Sequence, residues 1–438
     1  MKKLAIISTY NENCGNASYT HVLRKEFEKY VHVDVIPLDL FLLQSTIDSL
    51  IDAGDRHIKQ ICALLSEYDY VNVQFEAGLF GASISDIKRR IAWVIDAAKN
   101  ITVTMHRVDV EDYRYKHAFR DLLRLHSPKK IDKRLGASKF ARLSRYVVEY
   151  CTKAAKKKNV WIKVHTKRER RSVSEIYQNN NVYDYPLVFL NEVEKDSAKR
   201  ITDRSGFLNK YGFSGGDVII GLFGYLSNYK GIETAIESLK YLPENYKLAL
   251  FGSQHPQSVK RNEQVNPYLE SLFKLMEVID EQKFLKFEKL APLDWVYSKG
   301  ADNKVAADDY RKSIKDRVFF IGGLPDPEFI EALHLTDVVV LPYIEVGQSM
   351  SGVAVLSIEA GGKVLCANNN SFKETRRYFP DTFGGFDVGN SIELAQKIKD
   401  CGNCPDKYVF GENREKAFSR FNIESSIVTQ LEKFGHVF

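Results

Sequence analysis

The stretch Val218-Ile-Ile-Gly-Leu-Phe223-Gly224-Tyr-Leu-Ser-Asn-Tyr-Lys230-Gly231-Ile232 decides the fold. Val218 to Phe223 is a short apolar run bounded by a turn, long enough for a buried strand and too short for a helix. A glycine-flanked polar loop follows, and helical spacing then sets in over about 231–241. A strand–loop–helix junction of this kind aims backbone N–H groups and the positive end of a helix dipole at one spot, which suits an anion. Gly224 lets the backbone approach closely, and Lys230 adds a mobile point charge for phosphate. Open α/β sheets bind ligands at the carboxyl ends of their strands. The C-terminal half, roughly 215–385, therefore reads as a Rossmann-like domain that binds a phosphate-bearing nucleotide ligand.

The alternation extends in both directions. Downstream, strands are expected at 246–251, 318–321, 338–341 and 364–367, with helices over 327–335 and 352–361. Upstream, apolar runs at 4–7, 33–36, 70–74, 101–105, 160–164 and 185–189 alternate with helical patterns near 19–30, 45–66 and 84–99. Strands separated by helices of this length indicate parallel βαβ units. The polar stretch Asn191 to Gly216 reads as a connection, helical near 201–211, and 262–315 as an insertion. A last helix, about 411–433, has no obvious strand partner. With 438 residues, more than one core usually organises, the expectation is α/β with two Rossmann-like doubly wound domains facing a cleft. Their spans are 1–200 and 201–410, with 411–438 a C-terminal helix returning to the N-terminal domain.

Composition places the chain among soluble globular proteins, with 44% hydrophobic and 27% charged residues. The N-terminal MKKLAIISTY has a short apolar run that leads into polar NENCGN without a small-residue cleavage site, so it reads as a first strand and not a signal peptide. No run approaches a membrane span, and the expected location is cytoplasmic. The six cysteines are scattered, and Cys401-Gly-Asn-Cys404 has no second pair to complete a zinc site. The net charge is +6, yet residues 114–171 hold 20 Lys and Arg against four acids. Two readings stand: a solvated helical face, or a patch that meets phosphates on an anionic membrane surface or a substrate. Nucleic acid is not expected, because the run lacks regular aromatic interleaving and any known binding module.

A second loop resembles the first in its chemistry. In Leu341-Pro-Tyr-Ile-Glu345-Val-Gly347-Gln-Ser349-Met-Ser351-Gly352-Val353, a Val-rich strand ends at Pro342 and a Gly/Ser-rich loop leads to Ser351, a natural helix N-cap. Free N–H groups at Ser351, Gly352 and Val353 make an anion site. Glu359 lies two turns on among apolar neighbours. A carboxylate there is costly unless paired, and either a structural cation or a ligand hydroxyl pair such as a ribose would satisfy it.

Together, Gly224…Lys230-Gly231, Phe251-Gly252-Ser-Gln-His255-Pro256 and the Leu-Pro-Tyr…Ser-Gly…Glu359 segment resemble the donor half of family 4 glycosyltransferases, retaining enzymes with the two-domain B-type fold. The N-terminal Tyr10-Asn-Glu-Asn-Cys14-Gly15-Asn16, Gln74-Phe-Glu76-Ala-Gly-Leu-Phe-Gly81 and Thr102-Val-Thr-Met-His106 resemble further loops of that family. The resemblance implies a nucleotide-sugar donor, UDP- or GDP-linked, and a glycan acceptor of lipid-linked, polysaccharide or lipopolysaccharide type. It implies catalytic roles for His106, Lys230 and Glu359. Donor binding falls to Gly15, Asn16, Gly224, Lys230, Ser351, Gly352, Val353 and Glu359, and acceptor binding to Glu76, His106 and Asp109. No cofactor and no metal are implied; Asp109-Val-Glu111-Asp112 is the nearest approach to an acidic metal motif. Two positions depart from the family pattern. Tyr225 stands where Arg commonly follows the first glycine, and the Glu-x7-Glu signature becomes Ser351-x7-Glu359. Alternative readings are a silent sugar-nucleotide-binding subunit and a nucleotide-sugar epimerase on the same fold. A dinucleotide-dependent dehydrogenase is set aside, because no G-x-G-x-x-G follows any strand.

Overall fold

A computed structural model describes residues 1–12, 14–110, 128–254, 266–277, 314–344, 349–403 and 412–438. Glu111, Asp112, His255, Pro256, Glu345 and Cys404 lie outside the described residues, as does most of the 262–315 insertion. The chain divides into two compact units. The first comprises Met1–Asn191, Gly347–Gly352 and Ala417–Phe438, and the second Glu192–Val346 and Val353–Lys416.

The first unit is built on a six-stranded sheet of β1 (Lys3–Ser8), β2 (His32–Pro37), β3 (Tyr70–Phe75), β4 (Asn100–Met105), β5 (Asn159–Val164) and β6 (Val182–Asp184), in the order β2-β1-β3-β4-β5-β6. Every neighbouring pair is parallel. One face carries Val71, Val73, Ile101, Val103 and Ile162 into an apolar core shared with the helices Asp48–Leu64, Ile84–Ala97 and Pro128–Ala154. The opposite face is buried yet polar. The register aligns Asn72 with Thr102, and Gln74 with Thr104 and Lys163. The helix Ile423–Phe434 lies against this face: Lys163 Nζ donates to Ser426 Oγ at 3.0 Å, and Asn100 Nδ2 donates to the Phe434 carbonyl at 2.7 Å.

The second unit holds β7 (Val218–Phe223), β8 (Tyr246–Phe251), β9 (Val318–Phe320), β10 (Val338–Leu341), β11 (Val364–Ala367) and β12 (Gly384–Phe386), in the order β12-β11-β10-β7-β8-β9. Counted from its own first strand, this is the 3-2-1-4-5-6 order of a Rossmann sheet. The order reverses between β7 and β10 in this sheet, and between β1 and β3 in the first. Those are the switch points where a ligand crevice forms.

The structure departs from the sequence reading at several elements. The sixth strand is Val182–Asp184, ahead of the expected 185–189. Tyr185 N still donates to the Val164 carbonyl at 2.9 Å, but Pro186 has no N–H with which to extend the ladder. The first helix begins at Gly15 and not near Tyr19. The polar connection contains a helix, Glu192–Lys199, besides Arg204–Lys210. The terminal pattern is two helices, Glu412–Arg420 and Ile423–Phe434, because Asn422 adopts an extended backbone and its side chain accepts from Ser425 N. Cys401 is buried within the helix Ser391–Asn403.

Candidate functional site

At the second unit's switch point three glycines close a tight junction. Gly224 adopts φ +96°, and its carbonyl oxygen lies 1.9 Å from where a Cβ on Gly252 would stand. Gly231 adopts φ +62°, and a Cβ there would lie 2.1 Å from the Pro342 carbonyl oxygen. Only glycine allows the ends of β7, β8 and β10 to approach this closely. The space left takes the Lys230 amine, 3.1 Å from the Cβ position of Gly224, with Val353 at 3.6 Å from the same point. Lys230 is 4% exposed. Its Nζ donates to the Tyr343 hydroxyl, and burial lowers its pKa to about 7.

The helix Gly352–Glu359 starts beside Gly224 through Val353, so its first N–H groups are the nearest helix-terminal donors to that junction. Ser351 precedes it and is buried, and Gly352 packs on the Phe189 ring, 3.0 Å from its Cβ position. Glu359, 1% exposed, ends the helix. The neighbouring Ile358 carbonyl accepts from the buried guanidinium of Arg414.

In the first unit the switch point brings two expected residues together. Asn16 Nδ2 donates to Glu76 Oε2, joining the loop after β1 to the loop after β3. Among the described residues a Cβ on Gly15 would meet nothing within 4 Å. His106, directly after β4, is held at both ring nitrogens. Nε2 lies 2.9 Å from Gln74 Oε1 and Nδ1 lies 3.2 Å from His165 Nε2, while His165 Nδ1 donates to the Tyr185 carbonyl at 3.1 Å. Burial and then Lys163 lower the His106 pKa to about 4, and burial drives His165 well down too. The Tyr19 ring lies 6.1 Å from His106 and 6.3 Å from His165, edge-on to each. Asp109 stands apart from this group, its carboxylate paired with Arg107 at 2.7 and 2.8 Å.

Four residues unassigned from sequence belong to these sites: Tyr343, His165, Glu169 and Ser349. Glu169 is buried and accepts from Val108 N at 3.1 Å and Thr166 Oγ1 at 2.9 Å. The Ser349 hydroxyl contacts Glu169 Oε1 and lies 2.5 Å from the His106 carbonyl oxygen. One hydroxyl proton cannot serve two acceptors. The hydroxyl therefore donates to one of them at a time, the Glu169 carboxylate or the His106 carbonyl oxygen. Burial raises the Glu169 pKa, against the hydrogen bonds it accepts from Ser349, Thr166 and Val108.

The basic segment 114–171 is only partly described, and several of its charges are absorbed internally. Lys158 Nζ donates to the carbonyls of Asp96 at 2.9 Å and Ala98 at 2.6 Å, closing a helix end, and Arg170 pairs with Asp184 at 2.7 Å. Among the described residues no His, Cys, Asp and Glu cluster could hold a metal, and no helix is long and apolar enough to cross a membrane.

No protein-family model matches the chain, and no curated protein sequence matches it. Solved structures do. HepE of Anabaena, solved with UDP and glucose, is 14% identical, with 99% of this chain and 100% of that chain covered at a TM-score of 0.59. Sucrose-phosphate synthase of Thermosynechococcus elongatus is 14% identical over 99% of this chain and 98% of that chain, with a TM-score of 0.63. WaaG, a glycosyltransferase involved in lipopolysaccharide biosynthesis, is 15% identical over 98% of each chain, with a TM-score of 0.55. At these identities the likeness carries the fold: two Rossmann-like domains of the B-type glycosyltransferase architecture.

Proposed function

We propose that the chain is a retaining, metal-independent glycosyltransferase that moves a sugar from a UDP- or GDP-sugar to a glycan acceptor of lipid-linked or cell-surface polysaccharide type. The observation that carries this reading is the buried Lys230 amine at the switch point of a 3-2-1-4-5-6 sheet, beside the start of the helix Gly352–Glu359. The chemical task in such a transfer is the negative charge that grows on the departing diphosphate. A fixed cation and preorganised N–H donors in a site that excludes water stabilise that charge without reorganising. Lys230 supplies the cation, and Gly352 and Val353 the N–H groups. Glu359 takes the ribose hydroxyls. In the first unit, Glu76, Asp109 and His106 recognise the acceptor. For His106 this requires Nε2 to exchange Gln74 for a sugar hydroxyl, one hydrogen bond for another.

Lys230→Ala and Glu359→Ala each remove a charged hydrogen bond, worth on the order of 1.5–3 kcal/mol, or roughly 10- to 150-fold in turnover efficiency. The measurement is nucleotide release from a panel of labelled UDP-, GDP- and ADP-sugars with the purified chain. Wild-type turnover by both variants would sink the site assignment. Thermal stabilisation by a nucleotide-sugar with no release in any condition would favour a silent binding subunit instead.

A further inference from the structure

Among the described residues the Lys230 amine meets no counter-charge. The elements packed around it are the turn that carries it, the loops after β7 and β10, and the start of the helix Gly352–Glu359. Among the described residues of these elements, the titratable groups that face it are two phenols: Tyr229, whose ring centroid is 5.3 Å from Nζ, and Tyr343, at 4.1 Å and in hydrogen-bond contact through its hydroxyl. No described carboxylate pairs with it, and burial is the influence that acts on it.

Tyr343 cannot easily swing away. It is 2% exposed, its ring packs edge-on against Tyr229 at 5.6 Å and tilted against Phe372 at 5.3 Å, and its carbonyl accepts from Asn369 Nδ2 at 3.1 Å. Asn369 in turn caps the helix Asn370–Arg376. The phenol is therefore a fixed partner for the buried Lys230 amine. An ammonium buried here without an anion bears the full desolvation penalty, whereas a neutral amine can accept the phenol's proton in a hydrogen bond.

We propose that Tyr343 is a positioning residue that parks Lys230 as an uncharged amine, and that a nucleoside diphosphate entering this junction converts it to an ammonium with uptake of one proton from solvent. The inference rests on the donor reading above and concerns how that site is regulated by pH. The proton balance is simple. The amine gains one proton from water or buffer, Tyr343 keeps its own, and the ammonium N–H groups then donate to phosphate oxygens. Binding weakens as pH rises above the resting value of the amine, because each proton must be drawn from a scarcer supply.

The test is calorimetric titration of the full chain with UDP, GDP and ADP near pH 8.5, in two buffers of different ionisation enthalpy. A terminal phosphate, with its second ionisation near pH 6, is already fully ionised there, so the ligand does not release or take the proton. The expected result is about one proton taken up per diphosphate bound, with affinity falling about tenfold per pH unit between 8 and 10. Lys230→Met abolishes the buffer dependence. Tyr343→Phe keeps binding but lowers the proton count and flattens the pH profile, because the unparked amine reaches water and is charged before the ligand arrives. A phenol of purely structural value would weaken binding equally at every pH and leave the proton count unchanged, which would overturn the positioning role. Binding heat independent of buffer in the wild type, or proton uptake that persists in Lys230→Met, would overturn the proposal while leaving the donor reading intact. If none of the three diphosphates binds, both fall.

Discussion

His106 and His165 make three contacts, and the identity of each partner fixes where the protons sit. The Tyr185 carbonyl can only accept, so His165 Nδ1 carries a hydrogen and its Nε2 is bare in the neutral ring. His106 Nδ1–H fills that position, which leaves His106 Nε2 in need of a donor. With the Gln74 oxygen toward the ring that donor is missing, and among the described residues the buried Asn72 Nδ2 has no partner. Turning both amides over mends both faults: Asn72 donates to Gln74, Gln74 to His106, His106 to His165, and His165 to the backbone. Every ring then stays neutral, in keeping with the depressed pKa of each. His106 was legible as the residue at the carboxyl end of β4. His165 holds the equivalent place after β5, and the same rule singles it out; polar Lys163 masks the signal by interrupting the strand's apolar run just before it. At Gly231 the demand is steric. Alanine there would keep a left-handed backbone, costing about 1–2 kcal/mol, and would set a Cβ 2.1 Å from the Pro342 oxygen. Gly231→Ala is expected to destabilise the second unit by on the order of 2–4 kcal/mol in urea unfolding. An unchanged midpoint would show that the junction yields more readily than its geometry implies.

Elements were most legible where one apolar run filled one buried strand. β1, β7, β8, β10 and β11 all fall on such runs, because strands covered on two sides have little use for polar residues. Legibility failed where hydrogen bonding, not hydrophobicity, set the boundary. The run 185–189 is apolar and buried in part as a loop, yet the ladder stops before Pro186. β12 is missed because Gly384–Phe386 offers almost no apolar signal. The terminal helical pattern continues in phase across Phe421 and Asn422, so periodicity alone could not reveal the break. Asn422 makes it: its side chain accepts from Ser425 N at 2.8 Å, its carbonyl accepts from the Tyr185 hydroxyl at 2.9 Å, and its N–H points to the same hydroxyl at 3.2 Å. Asn422→Ala should cost about 1 kcal/mol through loss of the cap, read as a lower melting temperature with fold and nucleotide binding retained. Asn422→Asp, which keeps the acceptor, should recover most of that loss; failure to do so would show that the cap is not the residue's contribution.

Over the whole molecule, the two sheets differ in what they hide. The second packs apolar residues, whereas one face of the first buries Asn72, Gln74, Thr102, Thr104 and Lys163. The alternation in Tyr70–Phe75 and Asn100–Met105 announced such a face, but an alternating strand usually means solvent on the polar side. Nothing local to those strands says that a helix more than 300 residues later in the chain covers them, as the Asn100–Phe434 bond shows. Lys163 makes the consequence measurable. Its folded pKa of about 7 lies below the ordinary lysine value, so the unfolded chain binds the extra proton between pH 7 and 10.5, and stability is lost as pH falls through that window. Lys163→Met should stabilise the first unit at pH 7 by on the order of 2–4 kcal/mol, with the gain shrinking toward pH 10. A gain independent of pH would mean that Lys163 stays charged when folded. The same covering helix also sets an order of assembly during synthesis. Domains generally fold as their residues leave the ribosome, the N-terminal one first. Here the second unit lies within Glu192–Lys416, while the first includes Ala417–Phe438, which cover its polar strands. The part of the chain made first is thus the part completed last, because the first unit cannot close its polar face until the helix Ile423–Phe434 has been made and has cleared the ribosome.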